Sequence, residues 1–290
     1  MKTISPASST RFNGELISRI LLWIAILLVT AVVLFPFFYA GITSFKNIMD
    51  ALQPTIIPFI QFTPSTENWV AELGLGARET FAKLGNSAAI AIGAMIVSTS
   101  LGTLTGYGLA RYRFRIGNRN LVSWFLSQRF LPPVATLIPF LLVLKQFSLL
   151  DTQLGMILVN TTFTLPFAVL IMRDFFADLP EELEEAAMVD GANAFQVFWR
   201  VALPIAGPAV AASAIICFAF SWNEYLFASV LTSRNAQPYT LLVASTGTTR
   251  GIHFGFVSTR MLIAVTLPVI LSLFVQRYVV RGLTLGAIKG

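Results

Sequence analysis

The chain has 290 residues, 56% hydrophobic and only 12% charged, with a formal net charge of +6 and a mean hydropathy of +0.74. These values exclude an ordinary soluble domain, and several uncharged runs of about 20 residues read as one polytopic membrane domain. A single cysteine, Cys217, and a single histidine, His253, exclude an internal disulfide and Cys- or His-rich metal sites, so both read as packing or loop residues.

Residues 1–19 form a Ser- and Thr-rich segment with Lys2, Arg11 and Arg19, followed by 26 uncharged residues at 20–45. That run is too long for the apolar part of a signal peptide and is read as a retained first span, kinked at Pro36. Residues 46–83, with Pro54, Pro58, Pro64 and Trp69, read as a long external loop without sustained periodicity. The second span, 84–110, carries Gly93, Gly102, Gly106 and Gly108, small residues that let membrane helices approach closely. Arg111, Arg113, Arg115 and Arg119 follow as a short basic loop beside a span, which fits a cytoplasmic position better than a nucleic-acid patch. The third span, 120–144, is interrupted by Arg129, Pro132, Pro133 and Pro139. Broken helices at membrane depth line cavities or sit inside protein. Arg129 facing lipid would cost about 3 kcal/mol, so it is expected to face the interior or snorkel, and it is a candidate pathway residue. A turn at 146–153 leads to the fourth span, 154–172, which contains Pro166.

The stretch 178–204, DLPEELEEAAMVDGANAFQVFWRVALP, is the most acidic part of the chain; seven of its 14 carboxylates fall between Asp174 and Asp190. Asp178 and Glu181 have the spacing of a capping box, with Pro180 in the first turn. Gly191 supplies the left-handed residue that ends a short helix, and a second segment, 194–202, stops at Pro204. By composition alone this is equally a solvated acidic loop. Its spacing, however, resembles the EAA loop of ABC importer permeases: Glu185-Ala186-Ala187, three residues, Gly191, nine residues, then Val201-Ala202-Leu203-Pro204. The one departure is Val201 where the family usually has Ile. The resemblance implies a helix–turn–helix that docks into a groove on a cytoplasmic ATPase subunit. Glu185 would then make a polar contact there, with Asp190 close by; Ala186 and Ala187 would pack closely, Gly191 would orient the turn, and Leu203 and Pro204 would anchor the return to the membrane.

The fifth span, 205–226, holds Trp222, Asn223 and Glu224, the last being the only carboxylate associated with a predicted span. These three are read either as pathway residues or as an interfacial belt of Trp222 and Tyr225 with Glu224 at the water boundary. Residues 229–256 read as a polar external loop, 256–276 as the sixth span with Arg260 and Pro268, and 277–290 as a basic tail. That tail resembles the end of the shorter of the two permeases in sugar-type importers. Six spans put both termini, the arginine loop and the acidic loop on one side, with 12 Lys and Arg against at most seven opposite. The bias points to a cytoplasmic acidic loop.

No lysine follows a glycine, so the chain has no phosphate-cradling G-x-x-x-x-G-K-[ST] loop and ATP hydrolysis is expected on a partner. The fold class expected is all-α, with a transmembrane domain at 20–276 and cytoplasmic segments at 1–19 and 277–290. The resemblance implies a non-catalytic permease of an ATP-driven importer for a sugar or sugar-like solute, in the cell membrane of a bacterium or archaeon. The implied partners are a homologous second permease, two copies of an ABC ATPase that bind ATP and Mg, an extracytoplasmic substrate-binding protein and membrane lipid. No metal, cofactor or nucleic acid is expected on this chain. An importer for a polyol phosphate, amino acid or peptide, or an ion-coupled secondary transporter, stays open at this point.

Overall fold

A computed structural model describes residues 9–248 and 251–286. Lys2, Arg250 and Lys289, counted above in the charge bias, lie outside the described residues, as does the end of the 277–290 tail. Among the described residues the fold is almost wholly helical, with extended pieces only at Gly247–Thr248 and Gly251–Ile252. The main helices are α1 (Ser9–Ser44), α2 (Ala77–Arg111), α3 (Asn118–Gln128), α4 (Pro133–Gln146), α5 (Gln153–Asp178), α6 (Glu182–Val189), α7 (Ala194–Ile205), α8 (Gly207–Trp222), α9 (Leu226–Leu231), α10 (Tyr239–Ala244) and α11 (Phe254–Gly286). Four are long and apolar enough to cross a membrane, and counting the bent pairs α3–α4 (93°) and α7–α8 (74°) as single spans gives up to six. The chain is therefore an all-α polytopic membrane fold, as composition required.

The helices divide into two compact units, one of residues up to 74 with 251–262, the other of 75–250 with the remainder from 263. In the first, the apolar side chains of α1 from Leu21 to Phe35 are largely exposed, as suits a surface that meets lipid or another protein. Past Ser44 the chain folds into a polar knot. Lys46 is fully buried; its Nζ donates to the Thr55 carbonyl at 2.6 Å and lies over the rings of Tyr39 and Phe62. Asn68 donates to the carbonyls of Ser44 and Lys46, and Gly255 leaves room for it, since a Cβ there would stand 2.6 Å from Asn68 Nδ2. Arg260 pairs with buried Glu72 at 2.9 Å and stacks on Phe256. The stretch expected to be an irregular loop is thus pinned by buried polar contacts.

In the second unit α2 lies along α5, close enough that a Cβ at Gly102 would strike the Ala168 methyl and one at Gly106 would stand 2.7 Å from the Arg173 amide nitrogen. Gly93 makes the same allowance for Ile157, whereas Gly108 has ordinary space. Ser98 and Thr164 share a hydrogen bond of 2.6 Å across this seam, and Val159, Ala168, Val169, Met172 and Phe176 are fully buried along α5.

Several expected boundaries shift, each for a local reason. α2 begins seven residues before Leu84, its extra turns carrying the Glu79–Lys83 pair at i, i+4. α5 continues past Met172 to Asp178 because Phe176 and Leu179 extend its buried stripe. Asp178 is therefore a last helical residue and not an N-cap. Pro180 forces Leu179 into extended backbone (φ −76, ψ 126) and stops the helix there. The capping box lies instead at Asn193 and Gln196. The polar stretch 229–256 also contains α10, anchored by buried Tyr239 and Leu242.

Candidate functional site

Two places in the second unit carry the residues singled out from the sequence. The first is the hairpin α6–α7. Three acidic side chains, Glu182, Glu184 and Glu185, stand in the first turn of α6, where the partial positive charge of the helix N-terminus favours them. Gly191 has φ +89, a conformation that strains any residue with a Cβ, and it turns the chain toward α7. The Asn193–Gln196 capping box then starts α7, whose residues Phe198–Ala202 form a π-helical turn. α7 ends at Ile205, and Ala206 makes the bend into α8.

One side of this hairpin is bound to the body of the unit. Phe198, Ala202 and Ala206 are buried with Leu179, Met172, Phe176 and Tyr107, and Leu203 packs against the same cluster. Beside it, Glu184 is 5% exposed. Its Oε2 accepts from the Tyr107 hydroxyl at 2.8 Å and its Oε1 from Arg111 Nε at 2.9 Å, while Arg111 Nη2 donates to the Leu179 carbonyl at 2.9 Å. The other side is open and apolar. Val189 is 87% exposed, and Leu183, Met188, Phe195 and Trp199 are also exposed. Glu185, Ala186, Asp190, Gly191 and Pro204 are exposed too, with Ala187 half-buried. Of the EAA-like residues, Glu185 and Ala186 are thus uncovered and Ala187 only partly so, and Pro204 is not in the packed anchor. The sequence reading passed over Glu184, Tyr107 and Arg111. An Arg opening the basic loop and a Glu inside an acidic run gave no sign of pairing across 73 positions.

The second place is a cavity of about 550 Å³ where the α3–α4 break meets α5 and the end of α8. Arg129, Asn223 and Glu224 line it together, with Asn160 and the rings of Phe163, Phe167, Phe220 and Tyr225. The Arg129 guanidinium lies 4.2 Å from the centre of the Phe167 ring, a cation–π contact that the helix break makes possible. Glu224 caps α9: its carboxylate accepts from Phe227 N at 2.6 Å and Ala228 N at 3.0 Å. Trp222 does not reach the cavity. Its ring stacks on Phe218 and its Nε1 donates to the Ala264 carbonyl, so it is a core residue. An aromatic-walled space with one guanidinium and amide groups can hold a polar solute through stacking and hydrogen bonds.

A third cluster was not anticipated. Asp151, with φ +55, accepts hydrogen bonds from four successive backbone amides, Ser233 to Ala236, and from the Asn235 side chain. Burial alone would push its pKa up; the amides of Asn235, Ser233, Ala236 and Arg234 outweigh that and hold it well below the usual carboxylate range. The same loop is gripped by α2: Asn86 donates to the carbonyls of Asn235 and Gln237, and Ser87 Oγ accepts from Tyr239 N.

Residues 98–285 match the family model described as binding-protein-dependent transport system inner membrane component. The chain is 31% identical to the inner membrane ABC transporter permease protein YcjP of Escherichia coli, over 96% of this chain and 99% of that one. It is 30% identical to the trehalose/maltose transport system permease protein MalG of Thermococcus litoralis, over 95% and 99%, and 34% identical to the trehalose transport system permease protein SugB of Mycobacterium tuberculosis, over 78% and 84%. Among solved structures, its fold is similar to that of a bacterial ABC transporter involved in import of the acidic polysaccharide alginate, with a TM-score of 0.70 at 22% identity over 95% of this chain and 99% of that chain.

Proposed function

The chain belongs to the family of binding-protein-dependent transport system inner membrane components, and from that premise we propose that it is a multi-pass permease subunit of an ATP-driven sugar importer in a bacterial or archaeal cell membrane. The observation that carries this reading is the hairpin. Glu185, Ala186 and the apolar residues Val189, Phe195 and Trp199 leave the hairpin an uncovered surface, and its two helices are joined by a turn that needs Gly191. Such a surface suits a groove on a protein partner. The partner is a cytoplasmic ATPase subunit, present twice, which binds ATP and Mg; this chain supplies no cofactor of its own. A homologous second permease completes the translocation path, and an extracytoplasmic binding protein delivers the solute. The names of the trehalose and maltose relatives support a carbohydrate, as does a cavity where aromatic rings surround Arg129, Asn160 and Asn223.

Closure of the ATPase dimer would move the hairpin as one body, because its buried side is packed and ion-paired to α2 and α5. That movement would open the cavity alternately to either side. The test is affinity capture of the tagged chain from solubilised membranes of its source, followed by mass spectrometry. Recovery of a second permease and an ABC ATPase, with the ATPase lost on Ala187→Glu, is the expected result. Recovery of the chain alone, still transporting in vesicles without ATP, overturns the reading in favour of a secondary transporter.

A further inference from the structure

We infer that α2 is a rod that carries the hairpin's position to the 232–238 loop, with Glu184, Arg111 and Tyr107 as the positioning residues of its hairpin joint. The inference rests on the reading of the hairpin as the ATPase-docking element.

Both ends of α2 are fastened to something other than its lengthwise neighbour. At its last turns, Tyr107 and Arg111 hold the Glu184 carboxylate and the Leu179 carbonyl. This grips both α6 and the link that enters it. Near its other end, Asn86 holds the carbonyls of Asn235 and Gln237, Gln153 donates to Asn86 at 2.7 Å, and Ser87 holds the Tyr239 amide. Ser87 and Tyr107 are 20 positions apart on one unbroken helix without proline, about 30 Å along the axis. Between the joints, Gly102 and Gly106 set α2 against the α5 backbone so closely that the two cannot bend independently.

The hairpin's covalent exits both interrupt the helical backbone. One is the extended Leu179–Pro180 link, and the other is the Ala206 break with its 74° turn. A push on α6 reaches α2 directly through the Glu184 joint, without passing through either break. Glu184 is nearly inaccessible and each of its oxygens already has a donor, so it serves the joint rather than an ATPase contact. The loop at the far end is rigid in its own right, because Asp151 fixes four of its amides. It can thus be displaced as a body when α2 moves.

The experiment uses the assembled complex in proteoliposomes and needs no transported solute. Ser233 is exposed and Cys217 is buried, so Ser233→Cys offers a single accessible thiol on this chain for a membrane-impermeant maleimide, with labelling read on this chain's band. With ATP, Mg and vanadate to trap the ATPase, the labelling rate should change several-fold against the nucleotide-free complex. Glu184→Gln and Arg111→Ala should abolish that change while the ATPase still co-purifies and still hydrolyses ATP. A merely structural role for the pair would not separate those readouts. An undiminished labelling response in both variants overturns the inference, and so does a native complex that retains its ATPase but shows no response. If no ATPase accompanies the native chain, the docking reading itself fails. Should the Glu184 and Arg111 variants not reach the membrane, Asn86→Ala combined with Ser87→Ala leaves the hairpin untouched and decides the matter. Loss of the response supports the rod, and its survival overturns it.

Discussion

Two loops of the same unit are each held by one carboxylate, and they are held differently. Glu184 in the hairpin is nearly inaccessible and relies on two side chains, Tyr107 and Arg111. Asp151 is half-buried, forms no ion pair among the described residues, and relies on the backbone amides of residues 233–236. A side-chain joint fails abruptly, since removing either member of its Glu184–Arg111 ion pair strands a buried charge. A backbone cradle depends on loop geometry rather than on loop side chains, and four donors share its load. The hairpin is thus built to fail sharply and the 232–238 loop to fail gradually.

The sharpest break is expected at Gly191→Pro. The ring fixes φ near −65°, whereas this position needs +89, so the hairpin cannot close and uptake should be lost. Immunoblots of the membrane fraction should show normal abundance, because no residue that packs a span is touched. Normal uptake at normal abundance would count against the hairpin's role. Next comes Arg111→Ala, which leaves buried Glu184 without its counter-charge, beside a Tyr107 ring that packs on Phe176 and Phe198. A loss of about 3–5 kcal/mol is expected, measurable as a lower thermal midpoint of the detergent-solubilised chain. Tyr107→Phe keeps the ion pair and removes one hydrogen bond to a charged group, so it should cost about 1.5–3 kcal/mol.

What could be read in advance follows the same divide between local and distant. The spacing from Glu185 to Pro204, the left-handed Gly191 and the proline-broken third span are local patterns, and each fixes a local geometry. Gly102 and Gly106 announced close helix packing, but not that α5 was the neighbour. The cavity was half legible: Arg129, Asn223 and Glu224 stood out as polar groups in apolar runs, yet Trp222 was grouped with them by adjacency. Helix rotation turns it onto Phe218 instead. Asp178 looked like a cap because Glu181 stands three residues on, with Pro180 in what would be the first turn. The competing fact was the apolar stripe through Met172 and Phe176, which carried α5 onward. The Glu184 joint and the Asp151 cradle were invisible because each spans more than 70 positions and neither uses a motif.

The gradual side of the comparison is tested at Asp151. Asp151→Ala frees four amides to find water, and a loss of about 1.5–3 kcal/mol is expected, smaller than at Arg111 because the loop is exposed. The pH dependence has a definite sign. The carboxyl is held below its ordinary value in the folded chain, so its stabilisation is fully present above the unfolded value near ~4 and is lost as pH falls below it. The gap in thermal midpoint between the native chain and Asp151→Asn should therefore be constant from neutral pH down to about 5 and shrink below about 4. A gap that instead grew on acidification would contradict the cradle.

Asn235→Ala should have the least effect. It removes a side-chain donor to Asp151, at 3.1 Å, but leaves the Asn235 amide in place at 2.9 Å and its carbonyl on Asn86. The cost is then that of one exposed hydrogen bond among several, about 0.5–1 kcal/mol. Because the cradle is made of backbone, Ser233→Ala and Arg234→Ala should cost less still. If Asn235→Ala instead destabilised the chain as much as Asp151→Ala, the loop would depend on a side-chain pair after all. It would then fail as sharply as the hairpin, and the distinction between the two loops would fall.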